Sequence, residues 1–260
     1  MDKLHDLKKL VDALEKEDNT EKQIEVLQEI GAKLINEYEI HVGNLRIEPL
    51  LVEAYYHHKG KFEDSSVYAA REKETKAVLY ARSRQQKNQG KLFIHFNDWG
   101  IDICLTDSGD YYLSFLIKNA LVNDELQTQS RIGMEVCKNC SKYNECKSVL
   151  ECQYNDTVVL QPRAVHKDGK IIFIPRVNIE NKDFLGALSA EDLMKKNYNF
   201  TLPKGYQKQW KTSVCALLET SDEEEAKQIA KMENGSKIEQ KYWKLAKETL
   251  NKSQQKPLLF

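Results

Sequence analysis

Between residues 40 and 175 the apolar residues recur at every second position, in short runs parted by tight-turn residues. That period builds a sheet, because successive side chains of an extended chain point to opposite faces. The longest run is 45–68, LRIEPLLVEAYYHHKGKFEDSSVY. Leu45, Ile47, Pro49 and Leu51 share one parity, and Leu50, Val52 and Ala54 share the other, so its second half is apolar on both faces. A strand covered on both sides is expected. Glu53 lies inside this apolar stretch, ahead of Tyr55, Tyr56, His57 and His58. Partial desolvation there raises the pKa of a carboxylate and keeps it basic enough to take a proton from water, which suits a general base. The other reading is a strand-end glutamate that caps a loop or pairs with a lysine.

Further strands are expected at 91–96 (KLFIHF), 100–105 (GIDICL), 111–118 (YYLSFLIK), 157–161 (TVVLQ) and 170–175 (KIIFIP). Asn97-Asp98, Asp107-Ser108-Gly109 and Asp168-Gly169 supply turns between runs. Helical spacing flanks the strands on both sides. Leu4, Leu7, Leu10, Val11 and Leu14 form one stripe, and Ile24, Leu27, Ile30, Leu34 and Ile35 form a second, opened by a Thr20/Gln23 capping box. Past residue 183, Ser189 starts a helix, a Ser221/Glu224 capping box starts another that ends at Gly235, and Ile238, Tyr242, Leu245 and Leu250 mark the last. The pattern predicts an α+β protein: a curved, mainly antiparallel sheet or partial barrel flanked by N- and C-terminal helices. The expected organisation is N-terminal helices at 1–40, a mixed β core at 41–185 with a Cys-rich insertion at 137–152, and C-terminal helices at 186–260 packed on the core.

No apolar run approaches the roughly 18 residues that span a bilayer, and the start, MDKLHDLKKL, lacks the apolar core of a secretory signal. A cytoplasmic protein with no membrane segment is expected. No Gly-rich phosphate loop follows any strand, which argues against a nucleotide cofactor. The formal net charge is -1, yet 71–91 holds Arg71, Lys73, Lys76, Arg82, Arg84, Lys87 and Lys91 against two glutamates. Such a segment suits a polyanion such as nucleic acid, or else forms a solvated surface. Four cysteines, Cys137, Cys140, Cys146 and Cys152, cluster in CKNCSKYNECKSVLEC. In a reducing compartment four thiolates read as ligands of a structural zinc or an iron-sulfur cluster, with free thiols as the alternative.

Over residues 45–122 the chain resembles the alkyladenine (3-methyladenine) DNA glycosylase family. The segments that carry the resemblance are VEAYY at 52–56, Asp64, GKLFIH at 90–95 and FLIKNAL at 115–121, in the family's order and spacing. The resemblance implies a curved sheet with surrounding helices and a monofunctional N-glycosyl hydrolase that needs no metal for catalysis. It implies Glu53 as the base that activates water, Lys118 in the role of the family's arginine beside that water, and Tyr55 stacking on the flipped-out base. Tyr68 stands where the family has a base-contacting histidine, His95 where it has a second tyrosine, and Asp102 near its selectivity asparagine. Leu51 replaces the glutamate that precedes the family's base. These departures touch the walls of the base pocket more than the water site, so an altered base preference is expected. Arg71, Lys73, Lys76, Arg82, Arg84 and Lys87 would line the path of DNA. The alternative is a non-catalytic nucleic-acid-binding protein that keeps the fold, and a third is hydrolysis of free nucleosides or of a different nucleic acid.

Overall fold

A computed structural model of the chain describes residues 5–64, 66–67, 92–94, 100–106, 111–139, 158–176, 183–195, 200, 202 and 208–254. Within them the chain forms α1 (His5–Lys16), α2 (Thr20–Asn36), β1 (Tyr38–Val42), β2 (Leu45–His58), β3 (Leu92–Ile94), β4 (Ile101–Cys104), β5 (Tyr111–Val122) and β6 (Glu125–Thr128). There follow α3 (Gln129–Asn139), β7 (Val158–Pro162), β8 (Ile171–Ile174), β9 (Gly186–Ser189), α4 (Ala190–Met194), α5 (Lys208–Glu219), α6 (Glu223–Asn234) and α7 (Gln240–Gln254). The fold is α+β: an antiparallel sheet curled into a half-barrel, with helices at both ends of the chain.

The strands run β3-β4-β5-β2-β1-β7, with β6 on β5 and with β9 bridging β2 to β8. Five of the expected runs appear as β3, β4, β5, β7 and β8. Strands β1, β6 and β9 were not legible from periodicity. β1 follows directly on the helical stripe of α2, and β6 is a four-residue strand with no buried position. β9 precedes its capping serine so closely that 186–189 reads as helix approach. Its pairing with β8 and β2 carries the sheet past residue 185, across the boundary drawn from the sequence.

Two expected capping boxes are not formed. The cap of α2 is Asn19, whose side chain accepts from the Lys22 amide at 3.0 Å, while Gln23 donates back to the Glu17 carbonyl. The cap of α6 is Asp222, accepting from the Glu225 amide at 2.8 Å. An Asn or Asp one residue away reaches the exposed amides as well as Ser or Thr does. Ser189 caps α4 as expected, and Gly235 ends α6 at φ 73°, a left-handed conformation that glycine adopts without strain.

Opposite faces of the sheet bury different cores. Leu7, Val11, Leu14, Leu27, Ile30 and Leu34 of α1 and α2 cover Val52, Ala54, Tyr56, Ile103, Leu113, Phe115 and Ile117. A Cβ at Gly31 would stand 3.0 Å from Ala187 and 3.4 Å from Phe115, so its missing side chain lets α2 lie close on the sheet. On the other face, Leu50, Leu51, Ile172, Ile174 and Leu188 meet Trp210, Val214, Tyr242, Ala246 and Leu250 of α5 and α7.

The alternation within β2 is interrupted once, and the break decides where Glu53 points. Register shifts between Pro49 and Val52 leave Leu50 without a partner on β5, and Lys118 is the matching extra residue on β5. Ile47 and Val52, of opposite parity, therefore face the same core, while Leu50 and Leu51 both face the other. Such bulges re-aim side chains within a strand. A regular strand would direct Glu53, which shares the parity of Ile47, into the apolar core under α2. The bulge turns it to the opposite face.

Candidate functional site

Glu53 has no solvent exposure, and it sits two residues beyond Leu51 on the same face of β2. An ionised carboxylate in such a place needs charged or hydrogen-bonding neighbours. Lys118, 9% exposed, brings its Nζ to 3.9 Å from Glu53 Oε2. Tyr55, next along the same face, donates its hydroxyl to the same oxygen at 3.3 Å. The carboxylate, ammonium and phenol predicted to act together are thus brought together by two adjacent strands.

The Tyr55 ring is fixed from behind. The Arg176 guanidinium lies 5.0 Å from its centroid, and Arg176 is itself fully buried. Its Nη1 donates to Asp64 at 2.5 Å, to Ser66 Oγ at 3.0 Å and to the Ala54 carbonyl at 3.3 Å. A buried guanidinium held by a carboxylate is a rigid anchor, and stacking on an aromatic face suits its planar shape. Burial pushes the Tyr55 phenol well above its usual range, the Glu53 charge adds to this, and Arg176 pulls the other way. The phenol therefore stays a proton donor to Glu53 throughout the neutral range.

Asp102 is a further buried carboxylate of this face. It pairs with Leu116 of β5, which on its other side pairs with Glu53, so the two carboxylates stand in one row with a single strand between them. Strand spacing puts their backbones about 10 Å apart. The charge of Asp102 reaches Tyr55 and helps raise its phenol. His57 follows Tyr55 on the same face and is partly exposed.

Tyr68, His95 and the basic residues Arg71, Lys73, Lys76, Arg82, Arg84 and Lys87 lie outside the described residues, as do Cys140, Cys146 and Cys152. Cys137 lies within them, on α3 and not in a loop, buried with Ile132 and Val136 in the core under the sheet. Among the described residues no three His, Cys, Asp or Glu side chains converge as metal ligands. No described helix is long and apolar enough to cross a membrane.

Sequence reasoning missed Arg176 as a site residue and Asn119 altogether. Both leave a trace: an arginine closes the apolar run KIIFIPR, and Asn119 follows Lys118 inside the otherwise apolar FLIKNAL. A polar residue in a fully covered strand is the signal that would have found them.

No protein-family model matches the chain, and no curated protein matches it.

Proposed function

We propose that this chain is a DNA base glycosylase that hydrolyses the N-glycosidic bond of a flipped-out damaged or modified nucleotide. The observation that carries the reading is the Glu53–Lys118 pair, an acid and an amine 3.9 Å apart on adjacent strands with the Tyr55 hydroxyl beside them. At that separation, a water about 2.8 Å from each would bridge the pair. Glu53 takes a proton from that water, its oxygen bonds to the sugar C1′, and the base departs with the electrons of the broken bond. The carboxylate also stabilises the cationic sugar that develops on the way. The product is an abasic sugar carrying a hydroxyl at C1′. Lys118 holds the water and favours its deprotonation, and Tyr55 offers the ring face opposite Arg176 to the base, since stacking compensates for unpairing it.

The reading includes action on DNA in the cytoplasm, with Arg71, Lys73, Lys76, Arg82, Arg84 and Lys87 gripping phosphates, and Tyr68, His95 and Asp102 completing the base pocket. It also includes Cys137, Cys140, Cys146 and Cys152 as a structural zinc or iron-sulfur site apart from catalysis, which metal analysis and visible absorbance of the purified protein test.

The functional test is abasic-site formation in oligonucleotides carrying alkylated, deaminated or oxidised bases. Glu53→Gln should lower the rate by about 10²–10⁴-fold, the usual contribution of a general base, while leaving DNA binding intact. Equal rates in the two proteins would remove Glu53 from the chemistry.

A further inference from the structure

Asn119 has no solvent exposure, and neither its carbonyl nor its amide nitrogen has a hydrogen-bond partner among the described residues. It pairs with Leu51 across β2 and β5, so it faces the side on which Glu53 lies, and it directly follows Lys118 at the bulge. Along the strand it stands about 7 Å from the Glu53 row, the distance of two residues. On the other side of that row Ser114, opposite Tyr55, is 1% exposed and its hydroxyl also lacks a partner among the described residues. Strand β5 thus carries an unsatisfied polar group on each side of Glu53, on one face, each about two residues or 7 Å from its row and about 14 Å from the other, so one base beside Glu53 reaches one of them and not both. A buried carboxamide with no partner costs about 1–3 kcal/mol. A leucine of similar size would fill the same space without that penalty. The position is therefore poorly explained by folding and well explained by a ligand.

We propose that Asn119 is the base-reading residue of this site, and that its ligand is a base bearing a hydrogen-bond donor beside an acceptor on one edge. A carboxamide presents a C=O acceptor and an N–H donor side by side, so it makes two hydrogen bonds to such an edge. The amino group and ring nitrogen of adenine, and the lactam N–H and C=O of a deaminated purine or of uracil, both fit. A purine without a substituent at C6 does not. Lys118 offers donors and Asp102, when ionised, offers acceptors, so neither replaces Asn119. The inference rests on the reading of the Glu53 face as a base pocket, but it concerns recognition and not hydrolysis.

The test uses the full chain, with free hypoxanthine, adenine and unsubstituted purine as probes of thermal unfolding. Wild-type protein should be stabilised by hypoxanthine or adenine at concentrations at least about tenfold below those at which purine acts. Asn119→Leu should unfold at the same temperature or a few degrees higher and lose that preference. If leucine does not fold there, Asn119→Ala should lose the preference with only a modest fall in unfolding temperature. An Asn119→Leu protein that folds but is destabilised, a preference kept in the variants, or no preference in wild type each overturns the proposal. Absence of abasic-site formation by wild type would remove the hydrolase reading and leave the binding comparison standing.

Discussion

Glu48 and Glu53 lie five residues apart on β2, are both buried, and, because of the bulge between them, face the same side of the sheet. Their surroundings differ. Glu48 is clasped by the Arg163 guanidinium, by Lys167 at 2.8 Å and by Arg46 at 3.2 Å, and Arg46 reaches on to Asp124. Burial alone would raise its carboxyl, but hydrogen bonds and charge from Lys167 and Arg163 overcome that and hold it down at about 2. Glu53 meets Lys118 at 3.9 Å and a neutral phenol. A carboxylate ringed by cations is a rivet between strands and a poor proton acceptor. In the proposed function, one whose lysine stands 3.9 Å away shares a bridging water with it. The two ends of a single strand thus differ in charge, and in the proposed function they divide the work, Glu48 fixing the sheet and Glu53 meeting the substrate.

That division is sharpest in paired substitutions. Glu48→Gln strands a buried arginine and should lower unfolding free energy by about 3–5 kcal/mol, leaving base release per folded molecule unchanged. Glu53→Gln should do the reverse, changing the denaturation midpoint little while removing activity. Similar behaviour of the two variants would break the comparison.

Acid sharpens it next. The Glu48 carboxyl is depressed in the folded state, so its stabilisation is fully present above the unfolded value near 4.5 and is lost as pH falls through about 2. The loss should amount to about 3 kcal/mol over that window and be absent in Glu48→Gln, as followed by denaturant titration at stepped pH. An identical acid profile in the variant would contradict the assignment.

Smaller effects probe the backing of Tyr55. Arg176→Lys keeps the charge and loses the planar guanidinium that stacks on the Tyr55 ring. It should lower the rate of base release about tenfold with DNA affinity unchanged, because the ring that fixes Glu53 is less well placed. Tyr55→Phe removes the hydroxyl that donates to Glu53 and should cost about 0.5–1.5 kcal/mol of barrier, under tenfold in rate. A larger effect for Tyr55→Phe than for Arg176→Lys would reverse the order of support.

The sequence made the general plan legible wherever one period ran long enough. The stripes of α1 and α2 and the alternation of β4, β5 and β8 are examples. Short elements beside stronger signals were lost, as with β9 ahead of its serine cap. Glu53 stood out as a carboxylate in an apolar run, whereas Lys118 and Tyr55 were singled out through the family resemblance. Their direction was not legible, since a bulge at Leu50 and Lys118 is a property of two strands in register and leaves no mark in either alone. Arg176 was invisible for a similar reason: 112 residues separate it from Asp64, and only the sheet joins them.

The central claim is that Glu53 and Lys118 act as one unit on one water. Single-turnover base release by wild type, Glu53→Gln, Lys118→Met and the double variant tests it most directly. Groups that share one step are not additive, so the double variant should be no slower than the slower single variant. Losses that multiply, or a Lys118→Met protein as fast as wild type, would contradict it.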